Sequence, residues 1–362
     1  MGVVRLGAAT PRSTTATPHP NPPPQGGRER EHPDHIKKPE SRNRLRNVTW
    51  LVTMLALASW PASAQDYPAR PVRLVVGFAA GGPTDIPARY VADKLSDMLG
   101  QRVVVENKPA AAGMVATRDV LAQPHDGYTL LLCTHFESIN AAAYRRPGFA
   151  LSDLAPISLI SKYYYGVALA NAVPATDIAS FTRYAKAHPG EIRYASIGTA
   201  SAQEIFARQL ERLAGISMTK VPYRSGPMVL TDLIPGRIQF YVSPVIGVIP
   251  QVRTQQLKLI GVSSAERLPA IPEVPTMREQ GIDFVRYGWL GICAGKGTPS
   301  AIIARLNHAI VSIVASAGYR EVIEKAGSIP QSSTPDELGK VIEQTRIDVE
   351  GTIREFGLQQ DQ

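Results

Sequence analysis

Cysteine is scarce, with only Cys133 and Cys293 in 362 residues, which excludes the disulfide-dense class of small secreted domains. No apolar run reaches the roughly 20 residues that a membrane-spanning helix needs. Catalytic signatures are missing as well: there is no G-x-S-x-G elbow, no Walker A loop, no G-x-G-x-x-G and no H-E-x-x-H. Cys133, His135 and Glu137 alternate and would share one strand face as metal ligands, but no fourth donor stands nearby. An enzyme is therefore the less favoured class, and no cofactor is expected.

The chain opens with an export pattern. Arg42, Arg44 and Arg46 precede an apolar run from Val48 to Ala58, and Ala62-Ser63-Ala64 supplies a small-x-small cleavage site. Residues 42–64 thus read as a secretory signal peptide, with Gln65 opening the mature chain and the periplasm as its destination. Residues 1–41 contain PHPNPPPQGG and cannot bury a core, so they read as a non-native or disordered extension, a start assigned too far upstream being favoured. Nine of the 39 Lys/Arg and four of the 31 Asp/Glu fall within residues 1–64, leaving a formal mature charge of about +3. The basicity is mostly discarded, and no basic stripe with interleaved aromatics remains to bind nucleic acid. Both cysteines sit in apolar runs, TLLLC and GICAG, so buried free thiols are the expected state. A disulfide stays open, because sequence does not show their separation in an oxidising periplasm.

From residue 72 onward, apolar β-rich runs alternate with helical patterns: strands at 72–77, 102–106 and 127–133, helices at 88–99 and 113–123. The alternation resumes with strands at 165–170, 192–196 and 218–221 and helices at 178–188 and 202–214. Such alternation predicts parallel sheets covered by helices, and two blocks of it predict two α/β lobes. Further strands are expected at Arg237 to Val242, Leu257 to Val262 and Trp289 to Ala294, with helices from Ser300 to Ala317 and Pro335 to Phe356.

Two glycine-bearing turns carry the candidate chemistry. The strand ending near Val76 breaks at Gly81-Gly82-Pro83-Thr84-Asp85 before a helix, and a second turn, Gly198-Thr199-Ala200-Ser201, opens another helix at Ala202. Free N–H groups at a helix start, with the helix dipole behind them, suit a carboxylate. Two such turns from different lobes would grip the two ends of one small acid. Asp85, Thr199 or Ser201 taken singly reads equally as a cap of its own helix.

The chain resembles the periplasmic solute-binding receptors of tripartite tricarboxylate transporters, also called Bug. The resemblance rests on Tyr67-Pro68, the loop Phe78 to Arg89, Val103 to Pro109, Asp126 to Leu130, Val221-Pro222-Tyr223, Pro272 to Thr276, Trp289-Leu290-Gly291 and Gly297-Thr298-Pro299. It implies a two-lobed Venus-flytrap fold, each lobe a mainly parallel sheet flanked by helices. The chain would cross twice, with 65–165 plus 288–362 in lobe 1 and 166–287 in lobe 2. It further implies capture of a small carboxylate (a di- or tricarboxylate, an aromatic acid or an acidic amino acid) by a monomer, for delivery to membrane permease subunits. An orphan sensor docking to a signalling partner is the alternative.

Under the resemblance the ligand-binding residues are Phe78, Ala80, Gly81, Gly82, Thr84 and Asp85 from the first loop, and Ser196, Thr199, Ala200, Ser201, Ala202 and Gln203 from the second. Thr134, His135 and Ser243 are rim candidates, each with packing or a solvated loop as its alternative. Asp85 either faces the cleft, favouring amino acids, or caps its helix. Glu204, where relatives carry a different pattern, either meets the ligand or is a solvated first-turn residue, the latter favoured. Tyr163-Tyr164-Tyr165 is expected to pack at the crossover.

Overall fold

The computed structural model describes residues 67–361; the extension 1–41 and the signal peptide 42–64 lie outside the described residues. Strands β1 (Val72–Val76), β2 (Val103–Asn107) and β3 (Thr129–Thr134) alternate with helices α1 (Asp85–Leu99), α2 (Met114–Leu121) and α3 (His135–Ala143). The long β4 (Leu154–Ala170) leads into α4 (Ile178–Ala187), β5 (Arg193–Ser196), α5 (Ala202–Ala214), β6 (Thr219–Pro222), α6 (Gly226–Leu233), β7 (Phe240–Pro244), α7 (Ile249–Arg253) and β8 (Leu257–Val262). The chain returns through β9 (Tyr287–Gly295) to α8 (Ser300–Ala315), α9 (Ala317–Lys325), β10 (Ser328–Pro330) and α10 (Pro335–Glu355).

Strand β4 organises the molecule by changing partners along its length. From Leu154 to Tyr164 it pairs with β9, and with β10 near Tyr163. From Tyr165 to Leu169 it pairs with β7, and from Gly166 onward with β8. The first sheet thus runs β2-β1-β3-β9-β4, and the second continues β4-β7-β5-β6. Each sheet has a parallel part, β2-β1-β3 in one and β7-β5-β6 in the other. Both sheets are mixed, since every pairing of β4 and the pairing of β3 with β9 are antiparallel. Parallel neighbours come from the βαβ units, whereas strands that carry the chain between sheets return in the opposite sense.

Trp289, Tyr319, Leu74 and Leu130 are fully buried around the first sheet, and Phe181, Tyr194, Phe240 and Phe284 around the second. Gly288 lets β9 pass beside the Tyr163 ring, which any Cβ there would strike. The helix expected from Ser300 to Ala317 is broken at Ser316, where the axis bends by 66° and the Ser316 hydroxyl accepts the Tyr319 N–H to start α9. The strand expected at Arg237 to Val242 forms over Phe240–Pro244. Cys133 and Cys293 are not free thiols: they are joined by a disulfide with a Cα–Cα distance of 5.8 Å, across the adjacent strands β3 and β9. That pairing also removes Cys133 from any metal set with His135 and Glu137.

Candidate functional site

The first loop leaves β1 and is held by the first residue of α1. Asp85 is 2% exposed. Its carboxylate accepts from the Gly81 N–H at 2.8 Å, Arg89 Nε at 2.7 Å and Asn107 Nδ2 at 2.9 Å. Burial acts to raise its pKa, but the Arg89, Gly81 and Asn107 donors outweigh it and hold the carboxyl below the usual range. Asn107 also donates to the Phe78 carbonyl, fixing the start of the loop. Gly81 takes φ +73°, a left-handed conformation that favours glycine. Asp85 therefore ties its own loop together, with both oxygens engaged.

Thr84 holds the N-cap position of α1 but makes no capping bond. Its hydroxyl is buried without a hydrogen-bond partner among the described residues. The amides of Ala79, Ala80 and Thr84 also find no acceptor among the described residues.

The second loop repeats the design. Ser201 caps α5 by accepting the Glu204 N–H. The Ser196 hydroxyl donates to the Gly198 carbonyl at 2.7 Å. Glu204 is 2% exposed, not the solvated first-turn residue expected. Its carboxylate accepts the Ala200 N–H at 3.1 Å and pairs with Lys220 Nζ at 2.7 Å. Like Asp85, it takes a loop amide for itself and is balanced by a cation of its own lobe. The Thr199 carbonyl accepts from Tyr144 OH, and a Cβ on Gly198 would lie 3.4 Å from the Ala112 methyl, so this loop closes against the first sheet's side.

Between the loops lies a cavity of ≈ 30 Å³. Phe78, Phe136 and Tyr163 wall it on the first side, with the two phenylalanine rings 5.1 Å apart. Ile197, Pro227 and Tyr241 wall it on the second. Of the sequence candidates, Phe78, Gly82, Thr84 and Gln203 line the cavity. Gln203 is buried, and its Oε1 has no partner among the described residues. Among the described residues, no charged side chain lines the cavity.

The remaining candidates stand behind the walls. Ala80 and Gly81 are exposed beside the loop. Ala202 is buried in the first turn of α5. Thr134 caps α3 by accepting the Phe136 N–H at 3.0 Å, and the Glu137 carboxylate returns to the Thr134 N–H. Ser243 donates to the Pro244 carbonyl. His135 lies between Tyr163 OH at 3.3 Å and Tyr165 OH at 2.7 Å, and burial pushes its pKa down to about 3, so the ring is neutral. Its edge meets a separate cavity of ≈ 270 Å³. Sequence reasoning missed Phe136, Ile197, Pro227 and Tyr241; the Ser225-Gly226-Pro227 turn was the one local signal.

A family model described as the tripartite tricarboxylate transporter family receptor matches residues 87–358. Protein BugT of Bordetella pertussis is 32% identical over 302 residues, covering 82% of this chain and 92% of BugT. A Rhodopseudomonas palustris protein solved with adipate superposes with a TM-score of 0.78 at 27% identity, covering 80% of this chain and 98% of that one. MatC of Rhodopseudomonas palustris with bound malate superposes with a TM-score of 0.75 at 27% identity, covering 79% of this chain and 100% of MatC.

Proposed function

We infer, from the premise that this chain belongs to the tripartite tricarboxylate transporter receptor family, that it captures a small organic acid in the periplasm and delivers it to membrane permease subunits of the tripartite type. Its fold is that of the periplasmic solute-binding proteins, and it is a binding protein rather than an enzyme. We assign residues 65–165 with 288–362 to the first lobe and 166–287 to the second. The change of partners within β4 between Tyr164 and Tyr165 supports that division.

The observation that carries the reading is the pair of buried polar atoms without a partner among the described residues, Thr84 Oγ1 and Gln203 Oε1, one from each lobe, on residues that line one cavity. A buried polar group left unpaired costs about 1–3 kcal/mol, which a ligand supplying partners to both would relieve. Free amides beside Thr84 add donors suited to a carboxylate. A cavity of ≈ 30 Å³ does not admit an organic acid with the loops where they stand. The lobes must part for entry, and contacts made to both at once then drive closure.

The test is a thermal-shift screen of residues 65–362, unfolded and refolded to strip carried-over ligand, against mono-, di- and tricarboxylates and acidic amino acids. Ligand at about 100 times its dissociation constant adds roughly 2.7 kcal/mol, read as a rise of several degrees. A folded protein that no acid stabilises would remove the proposal.

A further inference from the structure

We propose that the ligand is an acid with a single carboxylate, an apolar body and a neutral hydrogen-bond donor at its far end. This rests on the carboxylate-receptor reading and narrows it. The lining is uncharged throughout, and the nearest acids are already spent: Asp85 is closed on Arg89, and Glu204 on Lys220. A ligand charge therefore meets no unpaired cation at either end.

The two ends differ in what they offer. At the first loop Thr84 and Ala79 line the cavity, Thr84 with a hydroxyl able to donate and Ala79 with an amide that finds no acceptor among the described residues. That end receives a carboxylate. At the second loop Gln203 lines the cavity, and its Oε1, an acceptor, has no partner among the described residues. An acceptor calls for an O–H or N–H, and it repels the lone pairs of a second carboxylate. An ammonium group finds no carboxylate on the wall to receive it. Between the ends, Phe78, Phe136 and Tyr241 present ring surface, which favours an apolar body over a hydroxylated one.

Titration calorimetry of residues 65–362 with 4-hydroxybenzoate, benzoate, terephthalate, adipate and malate tests this. The expected order places 4-hydroxybenzoate first, benzoate weaker by about 10-fold for the missing donor, and terephthalate weaker still. Adipate or terephthalate binding as tightly as 4-hydroxybenzoate overturns the single-carboxylate inference and leaves the carboxylate receptor standing. No binding by any of the five, in protein shown to be folded, overturns both. Gln203→Met should bring 4-hydroxybenzoate and benzoate to within about 2-fold of each other, since the acceptor that tells them apart is gone. A preserved 10-fold gap in a folded variant sinks the role assigned to Gln203, and the wild-type ligand order decides the charge inference whether or not the variant folds.

Discussion

At the scale of single residues, Thr84 sits where a helix cap belongs and yet bonds to nothing. Thr84→Val removes only the hydroxyl. The empty protein should keep its stability or gain up to about 1–3 kcal/mol, because an unsatisfied group is lost, while acid affinity falls about 5- to 10-fold. Denaturation and calorimetry on the same variant check both halves, and a large stability loss with unchanged affinity would show a structural hydroxyl instead. The sequence located this loop and named Thr84, but it left Asp85 between cleft and cap, and the structure gives neither. Arg89, four residues on, was readable as a partner on the helix face. Asn107 was not, because its place beside Asp85 depends on the parallel register of β1 with β2, which sets Val76 against Asn107. Glu204 was misjudged for the same kind of reason. Its partner Lys220 reaches it through the pairing of β5 with β6, where Tyr194 stands opposite Lys220.

Among the elements, β3 and β9 are neighbours only because the chain comes back from the second sheet, and their disulfide closes a sequence separation of 160 residues. Cross-linking so long a loop restricts the unfolded chain, so the paired substitution Cys133→Ser with Cys293→Ser should cost about 2–5 kcal/mol. Urea unfolding of the oxidised protein against the double variant reads this, and coincident curves would mean that the bond adds nothing. The cysteines' apolar settings were legible, but their adjacency was not, since no local pattern says which strand lies beside which. Strand β4 shows a related blind spot. Its C-terminal half was read as 165–170, whereas the strand starts at Leu154. Helix α3 was likewise missed, because nearly every residue in it is buried and the apolar period that marks a half-exposed helix is absent. Elements in the βαβ repeats, such as β1 and α5, carry their own periodicity and were found close to their observed limits.

For the molecule as a whole, the crossing between sheets is built around a neutral histidine. His135 begins α3 beneath the first sheet and is bonded to Tyr163 and Tyr165, the residues on either side of the point where β4 changes partners. Its folded pKa is depressed to about 3 by burial, against about 6.5 in the unfolded chain. The unfolded chain therefore binds the extra proton first as pH falls. Stability from this residue is fully present above about pH 6.5 and is lost as pH drops toward 3, by up to roughly 1.4 kcal/mol per pH unit inside that window. Glu137 acts in the opposite direction, since burial raises its pKa and its contribution declines as pH rises above the ordinary carboxylate range. The His135 contribution is isolated by comparison with His135→Gln, which keeps a side chain able to bond a tyrosine hydroxyl. Urea melts between pH 4.5 and 7 should give a flatter dependence in the variant, by about 1 kcal/mol per pH unit below pH 6. Parallel curves would mean that His135 takes up its proton at the same pH in the folded and unfolded chains and that burial does not depress its pKa. Because the folded pKa lies near 3, the ring stays neutral in the folded protein across this range, and its hydrogen bonds to Tyr163 and Tyr165, on the strand that carries the chain from one sheet to the other, persist.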